Sequence, residues 1–306
     1  MSGWSPTERP IDIHLKYGIV VLDKPAGPTS HQVSAWARVI LQKEKAGHGG
    51  TLYPGVTGVL PLAFDNSLRG LQALNTGTKE YVGIVRFHRD VKKKEVSDVF
   101  EEFTGPIYQL PPVRSAVKRR TRTRNIYKLE LLQKKGRDAL FRVSCESGTY
   151  IRTLCSDMGD AIGAGANMAE LRRTRVSGMT EKDACTLQAL KDAYVFWKEG
   201  DETWLREAVK PMEMMFAHLP GIILRDSAVD AICHGAPLAA PGIQTISKDY
   251  NLGDLITLYT AKGEAVALAN ATLPSTKAKK MREGIVANIA RVLMDSGTYP
   301  PGWKKR

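Results

Sequence analysis

The sequence predicts an α+β protein: a mixed, largely antiparallel sheet with flanking helices, followed by a small C-terminal β-barrel. Three observations carry this expectation. Residues 79–87, 127–132 and 140–145 read as strands with few helices between them, which argues against a doubly wound fold. Beyond Pro220-Gly221 the texture changes to short strands punctuated by Gly, Pro and Asn, such as 255–259 and 265–268, which suits a barrel of ~80 residues. The chain has 306 residues, 43% hydrophobic and 25% charged, enough for one large or two ordinary globular domains.

Taken in order, residues 1–15 read as a polar arm. Residues 18–22 are a buried strand, closed by Asp23-Lys24-Pro25-Ala26-Gly27-Pro28. Thr29-Ser30 supplies a helix N-cap, and Val33, Trp36, Ala37 and Ile40 follow at helical spacing. Residues 47–61 hold five glycines and two prolines around His48 and Tyr53, a shaped loop through which backbone can approach a ligand. Residues 96–103 predict a short helix ending at Gly105. Strands at 127–132 and 140–145 are joined by a turn at 135–138, and a helix follows Gly148 through about Ile162. Helices at 187–197 and 202–209 lead to a domain boundary at Pro211 and Pro220-Gly221. In the last part, 222–224 is strand-like, 227–234 is a helix stopped by Gly235, and 274–284 is a basic loop. The division is therefore an arm at 1–15, a main domain at 16–219 and a barrel at 220–306.

The formal net charge is +12, which favours a polyanionic partner: RNA, DNA or an anionic surface. The four cysteines have no Cys-x-x-Cys spacing and the six histidines no His-Glu-x-x-His pattern, so neither a metal site nor a disulfide scaffold is expected. A reducing, intracellular (cytoplasmic) setting follows from that cysteine usage. The N-terminus lacks the pattern of a signal peptide, and no apolar run approaches the ~20 residues of a membrane span.

Five constellations could carry chemistry. The first is the His48–Tyr53 loop, which alone could equally be a structural turn. In Lys79-Glu80-Tyr81, an aromatic at a strand start can stack on a base, although alone it is an ordinary sheet tyrosine. In Gly148-Thr149-Tyr150-Ile151-Arg152, the arginine can orient a carboxylate, or form a surface salt bridge. Leu171-Arg172-Arg173-Thr174-Arg175 offers dense guanidinium groups. So does 114–124, where Arg114, Lys118, Arg119, Arg120, Arg122 and Arg124 put six basic residues within eleven positions and no acidic ones. In a strand, Arg120, Arg122 and Arg124 share one face.

In this order, these pieces resemble the TruB/dyskerin family of pseudouridine synthases, the archaeal-type dyskerin homologues most closely. Tyr17 to Ser30 matches the family's Gly-x-x-x-x-Asp-Lys-Pro-x-Gly-x-Thr-Ser segment, and 47–61 matches its catalytic loop, which reads Gly-Thr-Leu-Asp-Pro, except at Tyr53. The residues after 220 resemble a PUA RNA-binding domain. The resemblance covers nearly the whole chain and implies a cofactor-free, metal-free isomerisation of uridine, with the base turned out of the stack. Carried over, His48 helps hold the extruded nucleotide, Tyr81 stacks on uracil, and Arg152 pairs with the catalytic carboxylate. Leu171 lines the pocket, Lys24 supports the loop, and Arg114–Arg124 with Arg172, Arg173 and Arg175 hold RNA backbone. Implied partners are an H/ACA guide RNA, a substrate rRNA or tRNA, and small accessory ribonucleoprotein subunits, with no membrane; in a eukaryote the place would be nucleolar.

One departure strikes the chemistry. The family's nucleophilic aspartate is Tyr53 here. Aspartate, with an ordinary pKa of ~3.9, is ionised at pH 7, whereas a phenol at ~10 is not. The ring also reaches further and could fill the uracil slot, and Arg152 would lose its anionic partner, at a cost if buried. Asp23 and Asp65 are the nearest carboxylates along the chain, and neither matches the motif position. The expectation is a chain that binds RNA but isomerises uridine weakly or not at all. The alternatives are a fully active guide-dependent synthase, a catalytically silent scaffold of the same fold, and an RNA-binding protein sharing only the barrel. The last predicts no base-sized pocket near Tyr81 and Arg152.

Overall fold

The structure is a computed structural model that describes residues 3–111 and 120–302. Arg114, Lys118 and Arg119 lie outside the described residues. The main sheet is built from β1 (Gly18–Lys24), β2 (Ala46–His48), β3 (Thr57–Phe64), β4 (Lys79–Phe87), β5 (Gly105–Gln109), β6 (Arg122–Lys135), β7 (Asp138–Cys145), β8 (Ala166–Val176), β9 (Met179–Thr180) and β10 (Val209–Pro211). Their order is β10-β1-β3-β8-β4-β7-β6-β5, with β2 against β3 and β9 against β8. All of these pairs are antiparallel except β3 with β8.

Alternation along β4 sends Tyr81, Val85 and Phe87 inward, where Phe141 and Val143 of β7 join them. Two helices close that face: α3 (Lys93–Glu102) through Val96 and Phe100, and α4 (Ile151–Ala161) through Leu154 and Met158. At Gly83 of β4 any side chain would meet Leu171, Phe141 and the Glu170 carbonyl within 2.9 Å, so glycine is required there. Elsewhere, after α1 (Ile11–Lys16), α2 (Ser30–Ile40) starts at Thr29, whose hydroxyl accepts from Gln32 N while the Gln32 amide oxygen accepts from Thr29 N. That reciprocal cap contributes about 1 kcal/mol. The pair α5 (Leu187–Lys198) and α6 (Thr203–Ala208) then leads into β10.

The second sheet comprises β11 (Gly221–Leu224), β12 (Leu238–Ala239), β13 (Ile243–Ile246), β14 (Leu255–Tyr259), β15 (Ala265–Ala271) and β16 (Ile285–Val292), in the order β12-β16-β15-β14-β11-β13. The fold is therefore α+β with a barrel-like C-terminal sheet. A shared core of Ile19, Val21, Met215 and Phe216 with Ala265, Leu268 and Leu293 joins the two sheets. Among the described residues no helix is long and apolar enough to cross a membrane.

Three details correct the sequence reading. Residues 1–15 are not only a polar tail: Ile11–Lys16 is helical, Leu15 is buried, and Arg9 forms a bidentate pair with Glu213 at 2.7 and 3.1 Å. Ser275–Ala278, within the expected basic loop, is a helical turn. The glycine-rich stretch 47–61 is a loop only between residues 49 and 56, because its ends are strands: apolar Val59–Phe64 is buried on both faces, so period-two alternation is invisible.

Candidate active site

Residues 49–56 are held almost entirely through their backbone. Buried Lys24, at the end of β1, donates from Nζ to the carbonyls of Pro54 (3.1 Å), Val56 (2.9 Å) and its neighbour Pro25 (2.8 Å). Gly27 N donates to Pro54 O, and the Ser30 hydroxyl accepts from Leu52 N at 2.8 Å while donating to Leu52 O at 3.0 Å. From the other side Arg173, 1% exposed, donates to Val59 O (2.8 Å) and Gly50 O (3.1 Å). Gly58 lets β3 come this close to β8: it has φ +100°, and a side chain there would lie 2.2 Å from the Arg173 carbonyl.

Tyr53 stands on this platform, 37% exposed, with Val56 N closing a turn onto its carbonyl. The Arg152 guanidinium lies over its ring, 4.3 Å from the centroid. Arg152 belongs to the first turn of α4 and is exposed, so losing an anionic partner carries little desolvation cost, contrary to the cost a buried arginine would bear. Among the described residues its side chain makes no ion pair.

Tyr53, Tyr81, Arg152 and Leu171 line one cavity of about 450 Å³, with Asn75, Lys79, Ser147 and Thr149 among its polar groups. The Tyr53 ring, under the Arg152 guanidinium, lines this cavity together with Tyr81. A base-sized cavity beside Tyr81 and Arg152 argues against a protein that shares only the barrel. Among the described residues no carboxylate lines it: Asp23 pairs with Arg172 at 3.0 Å, and Asp65 accepts from Lys45 N.

The floor of the cavity is cationic and buried. Tyr81 faces Arg173 across β4 and β8, and burial raises its pKa. Burial likewise opposes the Arg173 charge, while the Tyr81 phenol favours it. Lys79, two residues before Tyr81 and on the same inward face, donates to Leu74 O (2.8 Å), Gly77 O (3.2 Å) and Ser147 Oγ (2.7 Å). Burial, with Arg173 nearby, brings its pKa down to about 8.

Several predicted contacts lie elsewhere. Arg173 is sealed by the two carbonyls it serves, which corrects the expectation that it grips RNA backbone. His48 faces away from the Tyr53 cavity into a separate one of about 200 Å³, beside His31 and Arg38. Its ring meets His31 edge-on at 6.3 Å, its Nδ1 is buried without a partner among the described residues, and burial, then His31 and Arg173, lower its pKa. Arg172 bridges Asp23 and Glu181, and Arg175 pairs with Glu80. Arg120 is exposed. Arg122 and Arg124 do share a face, but it is the half-buried one, with Thr123 outward; Arg124 pairs with Glu146 at 3.0 Å. Sequence reasoning named Lys79 only as a neighbour of Tyr81, without the buried role it has, and passed over Gln109. Lys79 was findable, since its spacing from Tyr81 puts both on one face, but nothing in the sequence marks Gln109.

Comparison with known proteins agrees with this geometry. The TruB family pseudouridylate synthase N-terminal domain matches residues 38–151, and the tRNA pseudouridylate synthase B C-terminal domain matches 152–217. A PUA domain matches 220–293 and a DKCLD domain 1–34. A probable tRNA pseudouridine synthase B of Methanocaldococcus jannaschii is 52% identical over 305 residues, covering 99% of this chain and 91% of that protein. Its counterpart in Methanopyrus kandleri is 53% identical over 302 residues, 98% of this chain and 89% of the relative. Among solved structures, a Cbf5-Nop10-Gar1 complex contains a chain with TM-score 0.94 and 48% identity, covering 98% of this chain and 92% of that one. An H/ACA RNP bound to a substrate RNA containing 2'-deoxyuridine gives TM-score 0.92 and 45% identity, with coverage of 99% and 93%. With a TruB-type domain, a PUA domain and near-complete likeness to an archaeal relative and a Cbf5 structure, the chain belongs to the TruB family of pseudouridine synthases, in its archaeal, dyskerin-like branch.

Proposed function

We propose that this chain is the catalytic-type subunit of a guide-dependent H/ACA particle, in which Tyr53 leaves RNA recognition in place and removes most or all of the turnover. The observation that carries the reading is a base-sized cavity bearing Tyr81, Arg152 and Leu171 with no carboxylate on its wall among the described residues. A side-chain nucleophile that is neutral at its ordinary pKa must be activated by an adjacent base or by a lowered pKa. The phenol at position 53 is a poor substitute for a carboxylate, and the guanidinium that would orient a carboxylate stacks on a ring.

The remaining roles follow the family's division of labour. Residues 1–15 form an arm, 16–219 the synthase domain and 220–306 an RNA-gripping PUA domain. Tyr81 offers its ring to the extruded uracil, Leu171 packs against it, and Lys24 holds the loop that presents position 53. His48 meets the nucleotide from the neighbouring cavity, and exposed Arg120 with the basic segment before it meets backbone phosphates. The partners are an H/ACA guide RNA, an rRNA or tRNA substrate and small accessory subunits like those in the similar complexes. The test is reconstitution with guide and substrate RNA followed by pseudouridine quantification, with Tyr53→Asp in parallel. RNA binding by both proteins and product from Tyr53→Asp alone supports the reading.

A further inference from the structure

The first turn of α4 carries Arg152, yet its N-cap residue, Tyr150, supplies no side-chain capping bond. Ser, Thr, Asp or Asn usually does that work. A residue 41 positions away does it instead. Gln109, the last residue of β5 and 2% exposed, accepts from Tyr150 N at 2.9 Å through Oε1 and donates from Nε2 to Tyr150 O at 3.0 Å. That carbonyl also accepts the first intrahelical bond, from Leu154 N. One buried amide thus satisfies both backbone groups of the N-cap, two residues before Arg152.

The turn leading to this point is anchored separately. Glu146 accepts from Arg124 Nη1 and Asn125 N, the Thr149 hydroxyl donates to Glu146 O, and Lys79 donates to Ser147 Oγ. Those bonds stop at Thr149. Without Gln109, the N-cap backbone loses both of these bonds two residues before Arg152, while Ile151 and Leu154 keep their packing in the core.

We infer that Gln109 is the positioning residue for Arg152: it fixes the N-terminus of α4 so that the guanidinium stands over position 53. The expected consequence is specific. Losing the amide displaces Arg152 relative to residue 53 while the loop at 49–56, clamped by Lys24, Ser30 and Arg173, stays in place. A misplacement of ~1 Å at a reacting centre costs up to about 100-fold in rate.

The experiment has two arms on the full chain. In the first, the Arg152 Nε–H resonance is followed by NMR; its displacement by the Tyr53 ring current is defined by comparison with Tyr53→Leu. Gln109→Leu should abolish that displacement as Tyr53→Leu does, with the far-UV circular dichroism retained. Gln109→Glu, which keeps the acceptor and loses the donor, should fall between and serves if Gln109→Leu does not fold. An unmoved Arg152 resonance in a folded Gln109 variant overturns the inference. The second arm rests on the proposed function: in a Tyr53→Asp background, Gln109→Leu should lower kcat about 10- to 100-fold with KM for RNA nearly unchanged. A kcat equal to that of Tyr53→Asp also overturns it. If Tyr53→Asp itself is silent, the functional reading fails and the resonance alone decides the role of Gln109.

Discussion

The underside of the 49–56 loop and its rim are held in opposite ways. Beneath, two buried cations and a buried hydroxyl tie the backbone down: Lys24 serves three carbonyls, Arg173 two, and Ser30 both backbone groups of Leu52. Above, Tyr53 and Arg152 touch each other through one exposed stack. The platform does not depend on which side chain position 53 carries, because its bonds run through the main chain. A change at that single position therefore alters the chemistry without dismantling the site.

The largest expected effect comes from restoring the carboxylate. Tyr53→Asp should raise pseudouridine formation by ~10³-fold or more while leaving RNA affinity similar, since catalysis draws on groups that act in the transition state. Next come the platform cations. Arg173→Met or Lys24→Met leaves buried carbonyls unpaired, and each unpaired group costs about 1–3 kcal/mol, so chemical denaturation should show a loss of several kcal/mol. By contrast, Arg152→Ala at the rim should change stability by less than about 0.5 kcal/mol, because the side chain is exposed. If the rim variant proved as destabilising as the platform variants, the division between the two layers would be lost.

A separate test is a pH dependence at Lys79. Its folded pKa is lowered by burial from 10.5 to about 8. Between those values the unfolded chain binds the extra proton, so the contribution of this group to stability rises with pH through that window and is flat below about 8. The difference in unfolding free energy between the parent and Lys79→Met, followed from pH 7 to 10, should show that rise. A flat difference would mean that the ammonium is better solvated than its burial implies.

Much of this was legible in the sequence. Alternation in 79–87 and 140–145, the Thr29 cap and the helix after Gly148 correspond to β4, β7, α2 and α4 as observed. β3 was hidden because it is buried on both faces and reads as an apolar run. Arg173 was misplaced because a dense basic run looks solvated, and only the register of β8 against β4 shows which of its arginines points inward. Gln109 was invisible for a different reason: its partner is a backbone 41 residues away, and backbone contacts leave no mark on residue type.

The most direct measurement sets this chain and its Tyr53→Asp variant side by side, each assembled with guide and substrate RNA, and quantifies both bound RNA and pseudouridine. The predicted result is equal RNA binding, with product from the aspartate variant and little or none from the tyrosine chain. Robust turnover by the tyrosine chain would contradict the claim that position 53 decides whether this site is an enzyme.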